Sequence, residues 1–123
     1  MTEHQHQAAL FRWAKLQGYI YPDLKLMFAI PNGGHRHKAV AAKLNAEGVK
    51  SGVPDIFLPI ARNGFHGLFI ELKKPKDSTP QGKLTKSQVE WLMDLGDRSY
   101  ATTVCFGWES AKETIEAYLK DDT

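Results

Sequence analysis

The order of hydrophobic and polar positions along the chain predicts four helices and four strands. In chain order these are a helix at about 3–17, a strand at 24–30, a helix at 35–48, a strand at 51–60, a strand at 67–74, a helix at 85–95, a strand at 100–106 and a helix ending near 120. Turn residues separate the elements, including the PNGG segment at 31–34. Ser110 and Glu113 have the spacing of a capping box, which predicts the start of the last helix.

Helices that alternate with strands predict an α/β fold in which helices cover at least one face of a sheet. Asn63-Gly64 favours a hairpin, so the strands at 55–60 and 67–73 should pair antiparallel. The helix at 85–96 should then cross over into a last strand that runs parallel to one hairpin strand. With 123 residues the chain suits one core, and we expect a single domain over 1–123.

Composition excludes several classes of protein. The hydrophobic content of 42% and net charge of +2 are ordinary for a globular domain, and the single cysteine, Cys105, fits a reducing compartment. No apolar stretch approaches the ~20 residues of a membrane helix, and the N-terminus lacks the order of a signal peptide. We therefore expect a cytoplasmic protein, bacterial or phage-encoded, with no membrane partner.

The charges are distributed unevenly along the chain. Residues 1–86 carry 13 Lys and Arg against six Asp and Glu, whereas residues 87–123 carry three against eight. A split of this kind indicates either a side that faces nucleic acid or two solvated surfaces that differ. Charge alone favours the second interpretation.

Three charged residues, Asp55, Glu71 and Lys73, lie in strands of high apolar content, where an unpartnered charge is costly. Glu71 and Lys73 are two positions apart and so project from one face, about 6.6 Å apart. The predicted hairpin brings Asp55 to the same end. Two carboxylates there form a hard-oxygen site of the kind Mg²⁺ or Mn²⁺ prefers, and the backbone carbonyl of Leu72 is a further candidate ligand. The alternative is a cross-strand ion pair with Lys73.

SGVPDIFLPI at 51–60, followed by GLFIELKKP at 67–75, resembles the PD-(D/E)xK nuclease signature, and more specifically that of the VRR-NUC (virus-type replication-repair nuclease) domain. The opening EHQHQ is similar to the family's E-x-x-x-Q start, and PNGG to its turn after the first strand. LTKSQVEWLMDL resembles its Q-x-x-W/F-L helix, and VCFGWESAKETIEAYL its last strand and helix. Nearly the whole chain is covered in the family's order.

The resemblance implies a restriction-endonuclease-like core, a mixed four-stranded sheet flanked by helices in the order αβ(α)ββαβα. It implies a metal-dependent phosphodiesterase in which residues matching Asp55 and Glu71 hold the metal and the one matching Lys73 assists the nucleophile. The residue matching Glu3 often completes the site, and the one matching Gln88 lies against it. No small-molecule cofactor is implied.

Glu3 and Gln88 each have a purely structural alternative. An acidic side chain in the first turn of a helix is favourable in itself, which accounts for Glu3 without a metal. Gln88 closes a capping box with Thr85, so the cap and the site are competing interpretations of this glutamine.

Basic residues flank the proposed site in sequence, and we expect them to contact the DNA backbone without reading its sequence. They are Arg36, Lys38, Lys43, Lys50, Lys74, Lys76, Lys83 and Lys86, with Asn32 and Gly33 of the turn as further candidates. The two His-x-His pairs lie at the terminus and at a helix start and do not predict a zinc site. The three tryptophans are expected to pack.

These features predict an Mg²⁺- or Mn²⁺-dependent endodeoxyribonuclease that acts on branched or structured DNA. Small stand-alone members of the family resemble Holliday-junction resolvases, and cutting a two-fold symmetric junction requires two linked sites, so we expect a homodimer. Three alternatives remain: a flap or nicking repair nuclease of the same fold, a restriction-type endonuclease, and a DNA-binding module without catalysis.

Overall fold

A computed structural model describes residues 1–31, 38–75 and 83–120 of the chain. Its helices are α1 (Glu3–Leu16), α2 (Lys38–Ala46), α3 (Lys86–Gly96) and α4 (Trp108–Lys120), and its strands are β1 (Phe28–Ala29), β2 (Ile56–Leu58), β3 (Leu68–Lys73) and β4 (Ala101–Phe106). The strands form one mixed sheet in the order β1–β2–β3–β4. The predicted α/β class is confirmed.

The predicted strand directions are also confirmed. β2 pairs antiparallel with β1 and β3, while β3 pairs parallel with β4 after the chain crosses over through α3. Asn63 and Gly64 take φ values of 48° and 83°, and Arg62 and Phe65 exchange two backbone hydrogen bonds. This two-residue turn reverses the chain between β2 and β3. Its bridge is offset by one residue from the β2–β3 ladder, in which Leu58 lies opposite Leu68.

The strand predicted at 24–30 is wrong over its first half. Pro22–Leu26 forms a 3-10 helix, and the strand is limited to Phe28–Ala29. Pro22 starts the helix, and the buried residues Leu24 and Met27 lie three positions apart, which is the repeat of a 3-10 helix and not of a strand.

The predicted start of the last helix is also wrong. α4 begins at Trp108, so Ser110 and Glu113 lie inside the helix. Gly107 takes φ 95°, and the Trp108 amide donates a hydrogen bond of 3.1 Å to Nδ1 of His6 in α1. A contact between two helices therefore replaces the local cap that the sequence pattern predicts.

One hydrophobic core lies between one face of the sheet and helices α1 and α4. It contains Leu10, Trp13, Ala14, Ile56, Leu58, Leu68, Ile70, Leu72, Ala111, Ile115 and Leu119. Phe69, Glu71 and Lys73 alternate with the core residues of β3 and project from the other face, as the sequence predicts. None of the helices in the described ranges has the length and apolar character that crossing a membrane requires.

Candidate active site

Asp55 immediately precedes β2 and forms hydrogen bonds with residues next to β1 and within β3. Its backbone carbonyl accepts a hydrogen bond of 2.7 Å from the amide of Ile30, which follows β1. Its Oδ2 accepts a second bond of 2.8 Å from the Leu72 amide in β3. The sheet therefore fixes this carboxylate at the open end of the β2–β3 hairpin, beside the end of β3 that carries Glu71 and Lys73.

Glu71 is buried, with 2% of its surface exposed, and its Oε1 has no hydrogen-bond partner within the described parts of the chain. The pKa of Glu71 is raised to about 9, mainly by burial and then by the charge of Asp55 and a side-chain hydrogen bond with it, while Lys73 opposes the shift. The two carboxylates thus share a desolvated space in which both cannot ionise freely without a compensating positive charge.

Lys73 supplies part of that positive charge. Its Nζ lies 3.9 Å from Oε2 of Glu71, and the residue is 7% exposed. This is the ion pair that the sequence offers as the alternative to a metal site. The pair is long and involves Oε2 alone, so Lys73 does not supply a partner for Oε1 of Glu71.

Gln88 performs both of the roles that the sequence presents as competing. Its Oε1 accepts a bond of 2.9 Å from the Thr85 amide, while the Thr85 hydroxyl accepts from the Gln88 amide, which completes the capping box of α3. Its Nε2 lies 3.4 Å from Oε2 of Glu71. Because a side-chain amide has an acceptor and a donor at separate atoms, the cap and the contact with Glu71 coexist.

Glu3 and Leu72 have less direct places at the site. Glu3 is exposed in the first turn of α1, and its charge contributes to the raised pKa of Glu71. Across the described residues, no three His, Cys, Asp or Glu side chains are arranged to hold a metal ion. A role for Glu3 as a metal ligand stays a prediction. Leu72 contributes its amide to Asp55, and its carbonyl remains a predicted ligand.

Comparison with known proteins assigns this arrangement to a family. The sequence profile of the VRR-NUC domain matches residues 1–108. The chain belongs to the VRR-NUC domain family. A solved structure of a VRR-NUC domain protein is 31% identical, with a TM-score of 0.82 over 99% of this chain and 91% of that chain. No curated protein matches the sequence.

In this VRR-NUC domain the Asp55–Glu71 pair fits a divalent cation. Both groups offer the hard oxygen atoms that Mg²⁺ and Mn²⁺ prefer. The buried Oε1 of Glu71 has no hydrogen-bond partner among the described residues, and burial together with the nearby Asp55 carboxylate raises the pKa of this group, so a bound cation would favour its ionised form. The donor set is therefore suited to a metal, with two side chains as its basis.

The basic residues of the VRR-NUC domain are available for contact with phosphates where they can be described. Lys38, Lys43, Lys50, Lys83 and Lys86 are exposed and Lys74 is half-buried, whereas Asn32, Gly33, Arg36 and Lys76 lie outside the described residues. Lys86 is 3.9 Å from Glu90 in an exposed pair of little energetic weight. A DNA-binding role for these residues stays a prediction.

Sequence reasoning missed the position of His6. It grouped His6 with His4 at a terminus, but His6 is 5% exposed and caps α4 through Trp108. A signal was present, because His6 lies four residues before Leu10 and seven before Trp13, on the stripe that α1 buries. His6 thus anchors the helix that carries Glu3.

Proposed function

We propose that this VRR-NUC domain is a metal-dependent endonuclease that hydrolyses phosphodiester bonds in branched or structured DNA. The observation that carries the proposal is the convergence of Asp55, Glu71 and Lys73 at one end of the hairpin, with both charged residues of β3 buried. A buried carboxylate such as Glu71, with one oxygen that has no partner among the described residues, is costly for a fold, and a cation bound there would offset that cost.

Asp55 and Glu71 would hold the cation, with the Leu72 carbonyl as a further ligand. A bound Mg²⁺ or Mn²⁺ polarises a phosphoryl oxygen and lowers the pKa of water, which makes a nucleophile available at neutral pH. The hydrogen bond from Leu72 to Asp55 and the contact of Gln88 with Glu71 hold the two carboxylates in place before any substrate binds.

Lys73 has a separate role. Its ammonium group is fixed beside Glu71 on the same strand face, so it requires no rearrangement to stabilise negative charge that develops on the phosphate. As the family resemblance implies, water would attack in line with the 3′-oxygen, whose bond to phosphorus breaks, and this would leave a 5′-phosphate and a 3′-hydroxyl. The exposed lysines would contact phosphates further along the DNA and contribute affinity without sequence selectivity.

A homodimer suits the proposed substrate, because paired cuts in a four-way junction require two linked active sites. The described surface includes an aromatic row suited to such a contact. The Phe28 ring, 48% exposed, meets Phe57 edge-on at 5.8 Å, and Phe57 stacks on Phe69 at 4.1 Å. Aromatic residues are enriched in protein interfaces.

The test is cleavage of end-labelled four-way, flapped, nicked and linear DNA with Mg²⁺, Mn²⁺ or EDTA. We expect the wild-type protein to cut branched DNA only with metal, and Glu71→Gln and Lys73→Met to lose cleavage while remaining folded. Glu90→Gln and Lys15→Met, at exposed positions, are the matched controls. Cleavage by folded Glu71→Gln at the wild-type rate would overturn the assignment of the site, and a preference for flaps or nicks would select the repair nuclease.

A further inference from the structure

A pocket of about 370 Å³ plays no part in the chemistry proposed above. Its walls are mostly apolar, and two charged residues add to them. The residues used below are Ile30, Val49, Val53, Trp91, Glu47 and Lys50. The sequence predicts only packing for Trp91, yet this half-buried side chain lines an open space.

Three connections place the pocket beside the carboxylate pair. Ile30 donates its amide to the Asp55 carbonyl, and Val53 precedes Asp55 by two residues. Trp91 follows Gln88 by three residues on α3, and Gln88 contacts Glu71. Trp91 and Gln88 are therefore separated by about one helical turn, or about 5.4 Å. This separation is comparable to the rise of one or two stacked nucleotides, at about 3.4 Å each.

Contacts between α3 and the segment before β2 hold the walls of the pocket together. The Ser87 hydroxyl of α3 donates a bond of 3.2 Å to the Ser51 carbonyl. Gly52, at φ 89°, approaches Ser87 so closely that a Cβ atom would overlap it. The loop that supplies Val49 and Val53 is therefore fixed against the helix that supplies Trp91.

We propose that this pocket receives one unpaired nucleobase next to the scissile phosphate, and this inference rests on the proposed function. A paired base has both faces covered by its neighbours, whereas an unpaired base offers a free face to an aromatic side chain such as Trp91. The aliphatic walls of the pocket can pack against the flat ring of the base. Glu47 offers an acceptor for an exocyclic amino group of the base, and Lys50 offers a positive charge to the flanking phosphate. The pocket would thereby select DNA that is unpaired at the cut.

The experiment measures the coupling between Trp91 and one base. The cut position is first mapped with wild-type protein and Mg²⁺ on nicked, flapped and four-way DNA. Each of the two nucleotides on either side of the cut is then replaced by an abasic tetrahydrofuran, and kcat/KM is measured for wild type, Trp91→Leu, Trp91→Phe and Met93→Leu. Met93 is the control, because it is 63% exposed on the same helix and does not line the pocket.

We expect one abasic position to lower the wild-type kcat/KM roughly tenfold, the range that stacking of a base on an aromatic ring supports. Trp91→Leu should lower it by a similar factor on intact DNA and show no further loss on the abasic DNA, because the two changes remove the same contact. Trp91→Phe should retain the abasic effect, and Met93→Leu should match wild type.

Two results would overturn the inference, and they differ in what else they affect. In the first, the wild-type protein cuts DNA, but Trp91→Leu on abasic DNA loses kcat/KM by the product of the two separate factors. Trp91 is then structural, and only the pocket assignment fails. If the wild-type protein cuts none of the substrates with Mg²⁺ or Mn²⁺, the proposed function fails and the pocket assignment fails with it.

Discussion

At the scale of single residues, Glu71 links the stability of the metal-free protein to pH. Its pKa rises from 4.5 to about 9 on folding, so between these values the folded protein retains a proton that the unfolded chain releases. We therefore expect the free energy of unfolding, measured by urea denaturation in EDTA, to fall as the pH rises from about 5 to 9. Glu71→Gln, which cannot ionise, should flatten this dependence and exceed wild type in stability at the alkaline end.

Glu90→Gln is the control for this prediction, because the Glu90 side chain is 62% exposed and its removal should leave the slope unchanged. The comparison of wild type with Glu71→Gln isolates Glu71, since all other titrating groups are common to these two proteins. Equal slopes for wild type and Glu71→Gln would show that the carboxyl is not desolvated as the structure describes.

The sequence alone predicts that Asp55, Glu71 and Lys73 come together, because strand alternation places Glu71 and Lys73 on one face and the Asn63-Gly64 hairpin brings Asp55 to the same end. It does not predict that Gln88 serves the cap and the site at once. That depends on the distance between α3 and β3, which tertiary packing sets and no local pattern encodes.

At the scale of elements, the start of α3 allows the two roles of Gln88 to be separated. Thr85→Ala removes the hydroxyl that caps the helix and leaves the Gln88–Glu71 contact, so we expect a loss of about 1 kcal/mol in stability and little change in cleavage. Gln88→Ala should cost a similar amount of stability and also lower kcat roughly 10- to 100-fold, as the loss of a group that orients a ligand does.

Urea denaturation and single-turnover cleavage measure the two effects independently. A large fall in cleavage by Thr85→Ala would show that the cap positions Gln88 and is not separable from the site. Cleavage by Gln88→Ala at the wild-type rate would show that this glutamine only caps α3.

The approach of the loop before β2 to α3 can be tested with a pair of glycines. Gly52 and Gly64 both take positive φ, 89° and 83°, but a Cβ at Gly52 would overlap Oγ of Ser87, whereas at Gly64 it meets open space. Gly64→Ala should therefore cost only the backbone penalty of about 1–2 kcal/mol. Gly52→Ala should cost roughly 1–3 kcal/mol more and slow cleavage, since it displaces the loop that leads into Asp55. Equal costs in urea denaturation would contradict the described packing.

The two wrong element boundaries have a common physical cause. At 24–30 the apolar run satisfies a strand pattern, but the core takes Leu24 and Met27 at a spacing of three. At the start of α4 a local capping box is available, but the protein uses a buried histidine from α1. In both places tertiary contacts override a local preference of about 1 kcal/mol, the size of a single cap.

At the scale of the whole molecule, the net charge of +2 understates the positive charge of residues 1–86, the portion of the chain that carries the site. Two of the six acidic residues in the basic portion, 1–86, are Asp55 and Glu71, which sit together at one end of β2 and β3. A divalent cation held by this pair would offset their negative charge. The electrostatic field that acts on DNA would then be dominated by the lysines of residues 1–86. Affinity for DNA should accordingly rise with metal and fall steeply with salt.

The aromatic row, Phe28, Phe57 and Phe69, leads to the last prediction, which concerns assembly. If Phe28, Phe57 and Phe69 contact a second copy, light scattering should give twice the chain mass of 13.8 kDa for wild type, and Phe28→Glu should give a monomer. Leu26→Glu, which changes a side chain of similar exposure (47%) in the neighbouring 3-10 helix, is the matched control.

Assembly and cleavage are then linked through the symmetry of the substrate. Each subunit carries its own Asp55, Glu71 and Lys73, so monomeric Phe28→Glu should still cut single strands of branched DNA. It should no longer make two cuts within one binding event, because nothing holds a second site on the opposite strand. On a supercoiled plasmid with an extruded cruciform, wild type should give linear DNA directly, and Phe28→Glu should accumulate the nicked circle. A wild-type protein that is monomeric throughout yet produces linear DNA without a nicked intermediate would contradict the dimer.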